Sequence, residues 1–319
     1  MKKLQALFCA LLVCTLLLSG LPRTASAAYP DRPVTIIIPF GPGGAVDIAA
    51  RILAEYFQNK HQITLNIVCK AGGAGAPAML DVAKARPDGF PAIATFSTTP
   101  QIKKTGYTLA DFRAVVQVTN MWLSLAVNAD SGIKTINELM AAAKATPGKY
   151  NYATHGALST QRLFMSRLLK AFPGVDLPHV SYTSGHEVST ALLGRHVTSG
   201  FGVTTNQKPY VLSGDFTMIG VSSPERLAEF PDVPTFAEQI GPEYTFASSH
   251  GLVAPKRVPE DRILTMQNLV KEALADPDVQ AKFAKAGLTT DYLSAEDFQK
   301  ALDNMWKTIG DIMRENKFN

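Results

Sequence analysis

Residues 39–47 read PFGPGGAVD and lie between the apolar run VTIII (34–38) and the segment IAARILAEYF (48–57). A β-branched run of this length is typical of a strand buried on both faces. The apolar residues of the following segment recur at the spacing of an amphipathic helix. The stretch therefore predicts a strand–loop–helix unit of an α/β fold.

The loop in this unit allows two interpretations. Its three glycines permit backbone conformations that other residues resist, and the helix N-terminus presents unpaired N–H groups at which an anion could bind. Alternatively, the loop is only a tight turn, in which Asp47 caps the helix or stabilises its first turn. The residues of the loop alone leave both interpretations open.

The first 27 residues have the pattern of a secretory signal peptide. MKK is followed by an apolar run over 4–21, and Ala25-Ser26-Ala27 matches a cleavage site. The apolar run is short for a retained membrane anchor and small residues follow it. We therefore expect residues 1–27 to be removed and the mature, exported chain to begin at Ala28.

Composition limits the function further. The 319-residue chain has a formal net charge of +4, and the predicted signal peptide carries three basic and no acidic residues, which leaves +1. A nearly neutral chain does not favour nucleic-acid or membrane binding. Only Cys69 of the three cysteines would remain after cleavage, so no intramolecular disulfide is expected.

Strand-like and helix-like segments alternate along the chain, which favours an α/β fold with mostly parallel sheets. The predicted strands cover 34–40, 63–68, 92–97, 122–127, 151–154, 179–182, 197–203 and 216–221, and three helices are predicted after Val258, the last capped by Ser294. Loops rich in glycine and hydroxyl residues follow five of these strands, at 41–44, 72–75, 97–100, 154–160 and 204–207. Because ligands bind beyond the carboxyl ends of the strands in open α/β sheets, we expect these loops to converge on one cleft.

Catalytic and metal-binding motifs are incomplete. HEVST (186–190) has a threonine where a zinc-protease helix needs its second histidine. GAGAPA (73–78) departs from a dinucleotide fingerprint, and no nucleophile elbow is present. Cys69 follows an apolar strand and is interpreted as a small buried hydrophobe. We predict no enzyme activity, no metal and no cofactor.

Several blocks resemble one family. They are YPDRPVTIIIPFGPGGAVDIAAR (29–51), KAGGAGAPAMLDVAKARPDGF (70–90), NYATHGALSTQRLFMSRLL (151–169) and FPDVPT (230–235). These blocks are similar to those of the Bug (TctC-type) family, the extracytoplasmic solute-binding proteins of tripartite tricarboxylate transporters. The resemblance covers essentially the whole mature chain.

The resemblance implies a two-lobed periplasmic binding protein of the Venus-flytrap type, with a cleft between the lobes. Residues 28–127 and 253–319 would form a discontinuous first lobe, and residues 128–252 the second lobe. It further implies a periplasmic monomer that captures a small carboxylate and delivers it to membrane permease subunits. A secreted enzyme on the same architecture, and a ligand sensor for a membrane partner, are the alternatives that the sequence leaves open.

In this family, main-chain N–H groups and hydroxyls of two opposing loops hold the ligand carboxylate, and their matching positions here are predicted ligand contacts. The predicted contacts are Phe40, Gly41, Pro42, Gly43, Gly44, Ala45, Asp47, Gly73, Ser97, Thr98, Thr154, His155, Ser159, Thr160, Thr204 and Thr205. For Asp47, helix capping is the stronger expectation, whereas a cleft position would favour a ligand with an ammonium group.

The chain departs from the family pattern at several positions. His155 replaces a small hydroxyl residue that would face the cleft, although a helix-capping or solvent-exposed side chain is the alternative. Leu158 replaces a glycine, and Arg162 stands in place of the usual histidine. Lys70 could reach a second ligand carboxylate, although a solvated lysine is the simpler expectation. Ser249 or His250 stands where the family usually has a tryptophan. For this reason no known member's solute is carried over.

Overall fold

Nine β-strands and ten α-helices, largely in alternation, build the described part of the chain. The structure is a computed structural model and describes residues 29–72, 75–89, 91–93, 106–156 and 159–316. Arg32–Asn319 groups as one compact unit.

The strands and helices are numbered in chain order. The strands are β1 Val34–Ile38, β2 Leu65–Cys69, β3 Pro91–Ile93, β4 Phe112–Asn128, β5 Tyr152–His155, β6 His179–Tyr182, β7 Ser199–Val203, β8 Phe216–Val221 and β9 Ala247–Pro255. The helices are α1 Ala45–His61, α2 Ala76–Ala83, α3 Ile136–Ala145, α4 Thr160–Lys170, α5 Gly185–Leu193, α6 Thr204–Leu212, α7 Phe236–Ile240, α8 Glu260–Ala275, α9 Pro277–Lys285 and α10 Ala295–Asn316.

The strands are hydrogen-bonded in the order β2-β1-β3-β9-β4-β7-β5-β6, and β8 also pairs with β4. The pairs β1–β2, β1–β3, β5–β6 and β5–β7 are parallel. The pairs β3–β9, β4–β7, β4–β8 and β4–β9 are antiparallel. Among these strands, every antiparallel pair includes β4 or β9. The pairs that include neither strand are parallel, as expected.

The 17-residue strand β4 links two halves of this sheet system. Its first part pairs with β9 from Phe112 to Trp122, whereas its second part pairs with β7 and β8 from Leu123 onward. The chain thus passes between the two halves along β4 and returns along β9. Both predicted lobe boundaries, at Val127 and Leu252, fall within these two strands.

Helix α1 packs on the first half through one apolar face. Val46, Ala49, Ala50, Leu53 and Phe57 are buried, which follows the predicted helical spacing. In the second half, the buried aromatic rings of Phe164 on α4 and Phe201 on β7 are stacked with centroids 6.3 Å apart. This contact fixes α4, and with it the loop that precedes α4, against the sheet.

Some predicted elements match the structure and others differ. Strand β8 matches its prediction, and Ser294 caps α10 by accepting a hydrogen bond from the Asp297 N–H at 3.2 Å. Strand β4 begins ten residues before the predicted strand at Trp122, and the strand β9 was not predicted. Small polar residues with no two-residue alternation, such as those at 247–251, give little strand signal even though they pair with β4.

Candidate ligand-binding site

The loop after β1 enters α1 at Gly44, the N-cap residue. Gly43 has φ 77°, a left-handed conformation that strains other residues. Gly44 has φ −77° and ψ 164°, which any residue can adopt, and a Cβ added there would meet only the Gly41 carbonyl oxygen at 3.7 Å. The fold therefore requires a glycine at position 43 but not at position 44.

The backbone N–H groups at the start of α1 point out of the helix. The first backbone hydrogen bond of α1 runs from the Ile48 N–H to the Gly44 carbonyl at 3.0 Å. No described residue accepts a hydrogen bond from the N–H of Gly44, Ala45 or Val46. An anion placed at this helix end would meet several donors and the positive end of the helix dipole.

Asp47 is buried and binds groups of its own half of the protein. Its carboxylate accepts hydrogen bonds from the Gly43 N–H at 2.9 Å and from Arg51 Nε at 3.0 Å, and Arg51 Nη2 lies 3.0 Å from the other oxygen. Because Gly44 is the N-cap and α1 has no side-chain cap hydrogen bond, the expected capping role of Asp47 is wrong, and Asp47 is the acid of the first turn. These contacts also correct the expected role of the Gly43 N–H, because its hydrogen bond goes to Asp47.

The thiol of Cys69 belongs to the same cluster. Cys69 Sγ donates to Asp47 Oδ1 at 3.3 Å and is half-buried, so the expectation of an apolar, buried cysteine is wrong. Burial and the neighbouring carboxylate raise the pKa of the Cys69 thiol. Burial raises the pKa of Asp47, but the hydrogen bonds from Arg51, Gly43 and Cys69 outweigh it, and the pKa of this carboxyl is lowered.

The loop after β5 is held by its own hydroxyl groups. Ser159 is the N-cap of α4 and its Oγ accepts from the Arg162 N–H at 3.2 Å. Thr154 is fully buried; its Oγ1 donates to the Gly156 carbonyl at 3.2 Å and lies 2.8 Å from His179 Nε2. The predicted contacts Ser159 and Thr154 therefore position this loop and the N-terminus of α4, at which Thr160 is the first residue.

The two loops meet at Phe40 and His155. The Phe40 ring, in the loop after β1, and the His155 imidazole, at the end of β5, are in edge-to-face contact with centroids 6.2 Å apart. Phe40 lies four residues before the N-cap of α1, and His155 lies four residues before the N-cap of α4. This contact brings together the two segments that the sequence predicted to oppose each other.

A second histidine, His250, is near enough to His155 for the charge of His155 to affect its pKa. His250 is on β9, where Ser248 Oγ lies 3.0 Å from its Nε2. Burial lowers the pKa of His155 to about 4, and burial together with the charge of His155 lowers the pKa of His250 to about 4. Nδ1 of His155 is shielded from solvent and has no hydrogen-bond partner among the described residues. Both imidazoles are neutral at pH 7.

The start of α6 lies at the same sheet edge as His155. Strands β5 and β7 are adjacent and parallel, so their carboxyl ends, followed by Gly156 and Thr204, lie on one side of the sheet. Thr204 is buried, and Thr205 Oγ1 is a buried hydroxyl oxygen without a partner in the described part of the chain.

The remaining predicted contacts divide into two groups. Gly41, Pro42 and Ala45 lie in the first loop and at the start of α1. The predictions for Gly73, Ser97 and Thr98 concern positions outside the described residues.

Two further segments of the sequence analysis lie outside the loops. Lys70 forms an ion pair with Asp81, which agrees with a surface role rather than a ligand contact. In the HEVST segment, Glu187 binds Thr183 just before α5, and the described residues contain no group of three or more metal-ligating side chains. No helix within the described ranges is long and apolar enough to cross a bilayer.

His250 was not among the ligand contacts predicted from the sequence. The one sequence feature that pointed to it is that Ser249 or His250 stands where the family usually has a tryptophan, on a segment that was not predicted as a strand. The pairing of His250 with Thr119 of β4 places it where the two halves of the sheet join, and the charge of His155 affects its pKa.

Two halves joined by crossing strands, with the loops before α1 and α4 in contact through Phe40 and His155, have the architecture of a two-lobed periplasmic solute-binding protein. The chain belongs to the TctC family, the tripartite tricarboxylate transporter family receptors, which it matches over residues 49–318. The proteins of this family are solute receptors and not enzymes.

Individual relatives agree with this assignment. The chain is 32% identical to a protein encoded in the tcbD-tcbE intergenic region of Pseudomonas sp. (strain P51), over 82% of this chain and 80% of the relative. It superposes on the periplasmic binding protein BugD with a TM-score of 0.81 and 27% identity, over 91% of this chain and 99% of BugD. MatC from Rhodopseudomonas palustris, solved with bound malate, shares the fold with a TM-score of 0.80 at 23% identity, over 89% of this chain and 99% of MatC.

Proposed function

We propose that this protein captures a small organic anion through a carboxylate group and delivers it to the permease of a tripartite transporter. The observation that carries the proposal is the contact between Phe40 and His155, with ring centroids 6.2 Å apart. It joins the loops that lead into α1 and α4, so the N-termini of both helices serve one ligand.

The donors at α1 support a carboxylate as the bound group. The N–H groups of Gly44, Ala45 and Val46 have no acceptor among the described residues, and hydrogen bonds to a charged acceptor contribute about 1.5–3 kcal/mol each. The fold does not require residue 44 to lack a side chain. A glycine there does, however, leave room for a ligand at the helix end. Thr205 Oγ1 offers a further buried hydroxyl group.

We further propose the lobe division 28–127 with 253–319 against 128–252, and closure of the lobes on the ligand as the working motion. The passage of the chain along β4 and its return along β9 supports a hinge at these two strands. In this proposal residues 1–27 are removed on export, and the mature protein acts in the periplasm as a monomer. Mass spectrometry of the exported protein tests the cleavage before Ala28.

The test of ligand capture is a thermal-shift screen of exported, ligand-stripped protein against malate, succinate, adipate, citrate, benzoate and glutamate. Malate is included because MatC was solved with it. A ligand at a hundredfold excess over its Kd stabilises the native state by about 2.7 kcal/mol. A large shift with one acid, at unit stoichiometry in calorimetry, is the expected result.

Two outcomes of this experiment would contradict the proposal. The absence of a shift with every acid would refute carboxylate capture. Chemical conversion of the bound acid, seen when the ligand is recovered and analysed, would favour the enzyme alternative. Delivery is tested separately: deletion of the gene should abolish uptake of the same acid, and loss of signalling with normal uptake would instead favour a sensor.

A further inference from the structure

We propose that His155 and His250 bind an acidic group of the ligand together, and that ligand binding makes the protein take up a proton at this pair. The inference rests on the proposed function, because it assigns a role to side chains in the same cleft. It concerns His155, at which this chain departs from the family pattern, and His250, which with Ser249 is one of the two residues at the position of the family's tryptophan.

The geometry places both imidazoles where the two halves of the protein meet. His155 ends β5 and contacts Phe40 of the opposite loop. His250 lies on the returning strand β9, close enough for its titration to respond to the charge of His155. Nδ1 of His155 is buried with no partner in the described structure. A buried polar atom of this kind costs free energy unless something binds it.

Titratable groups of three neighbouring elements lie near His155. From β6, Tyr182 is the register partner of His155, and His179 is held by Thr154. From α4, Arg162 hydrogen-bonds to Tyr152 at the start of β5. From β9, the neighbour is His250 itself. Within the described ranges, these elements bring no carboxylate to His155.

Nearby cations in the first half are also engaged. Arg51 forms a two-point contact with Asp47, and Lys70 pairs with Asp81. Positive charge for a second acidic group of the ligand would therefore come from protonation of the two histidines. A neutral imidazole already offers one N–H donor, and a protonated one offers two donors and a charge.

The sign of the pH dependence follows from linkage. Burial holds the pKa of both histidines at about 4 in the ligand-free protein, and a neighbouring anion raises the pKa of a histidine. The association constant then increases as the pH falls from the bound-state pKa toward the free-state value. If the anion restores His155 to its ordinary pKa of 6.5, affinity rises about tenfold between about pH 8 and about pH 5.5.

The experiment is calorimetry with the strongest-binding acid of the panel of malate, succinate, adipate, citrate, benzoate and glutamate. Titrations in buffers of different ionisation enthalpy give the number of protons taken up per ligand bound. The expected result is an uptake of about three quarters of a proton per ligand near pH 6 and an affinity that rises toward acid. The variant His155→Gln should lose this uptake and flatten the pH profile.

Controls separate this effect from titration of the ligand. His186→Gln changes an exposed histidine in the same half of the protein and should keep the full proton uptake. Since every variant meets the same ligand, the difference between His155→Gln and His186→Gln isolates His155. His250→Gln should lower the uptake in the same direction.

Each remaining outcome overturns the inference. Binding of an acid by wild-type protein without proton uptake refutes this inference and leaves the proposed function intact. No binding by any acid of the panel refutes both. Should His155→Gln not fold, histidine-selective NMR of the wild type provides the test. When the acid is added near pH 6, the imidazole signals of His155 and His250 should shift toward those of the protonated form. Unchanged signals refute the inference.

Discussion

Substitution of Gly44 by valine tests whether the N-terminus of α1 holds the ligand. The backbone at Gly44 is extended, at φ −77° and ψ 164°, so a valine can adopt it. The nearest protein atom to an added Cβ is the Gly41 carbonyl oxygen at 3.7 Å, an ordinary contact distance. We expect a stability cost of about 1 kcal/mol, because valine is a poorer N-cap residue than glycine.

The expected cost to binding is larger than the cost to folding. Two methyl groups on the Cβ would occupy space at the helix end, where a carboxylate must approach the Gly44 and Ala45 N–H groups. Loss of one charge-assisted hydrogen bond costs about 1.5–3 kcal/mol, which corresponds to a roughly 10- to 150-fold increase in Kd. Loss of two such bonds would remove measurable binding.

The assay is calorimetry with the best acid of the panel, together with urea unfolding of each variant. Gly44→Ala is the matched control, because it keeps the same backbone and adds one methyl group; its Kd should lie between those of the wild type and Gly44→Val. A folded Gly44→Val protein with wild-type affinity would refute the role of this helix end. Gly43→Ala, by contrast, should lose about 1–2 kcal/mol of stability, because residue 43 is in the left-handed region.

Three further predictions follow from the site. Asp47→Asn should lower the free energy of unfolding by about 1–3 kcal/mol at pH 7 in urea titrations, whereas Asp130→Asn, which breaks an exposed pair with Arg195, should cost less than about 1 kcal/mol. Because the pKa of Asp47 is lowered, its stabilisation is present above the unfolded pKa of about 3.9 and is lost as the pH falls through the folded value, so Asp47→Asn should converge with wild type in strong acid. Ser159→Ala should cost about 1 kcal/mol of stability through loss of the α4 cap, measured in the same way. Thr205→Val should leave stability unchanged, since its hydroxyl oxygen has no described partner, and should weaken ligand binding by about threefold to tenfold in calorimetry; unchanged affinity would remove Thr205 from the site.

Much of the fold could be predicted because local sequence patterns agree with it. Helix α1 buries one face at helical spacing, and β1 and β8 are apolar runs bounded by turn residues. Strand β9 could not be predicted in this way. It begins with small polar residues whose pairing is decided by β4, which is distant in sequence.

The candidate site was predicted in part. Loop composition and family resemblance pointed to the segments around Gly44 and His155, but not to the bonds within them. From the sequence, Asp47 and Thr154 look like residues that could contact a ligand, but each forms hydrogen bonds with its own loop. These bonds depend on tertiary neighbours: Arg51, one turn along α1, for Asp47, and His179, on another strand, for Thr154. Sequence gives the residue type, whereas only the structure gives its partner.

The Asp47–Arg51 pair also explains how a carboxylate can lie beside an anion site. A lone Asp47 in the first turn of α1 would offset the positive potential of the helix N-terminus and repel a second carboxylate. Arg51 neutralises this charge through two contacts of 3.0 Å, and the Gly43 N–H donates a third hydrogen bond to Asp47. The acid thus fixes the loop in its left-handed turn at Gly43 while the pair remains neutral as a whole. The N–H groups of Gly44, Ala45 and Val46 keep their attraction for an anion, and the loop that presents them is held rigid before any ligand arrives.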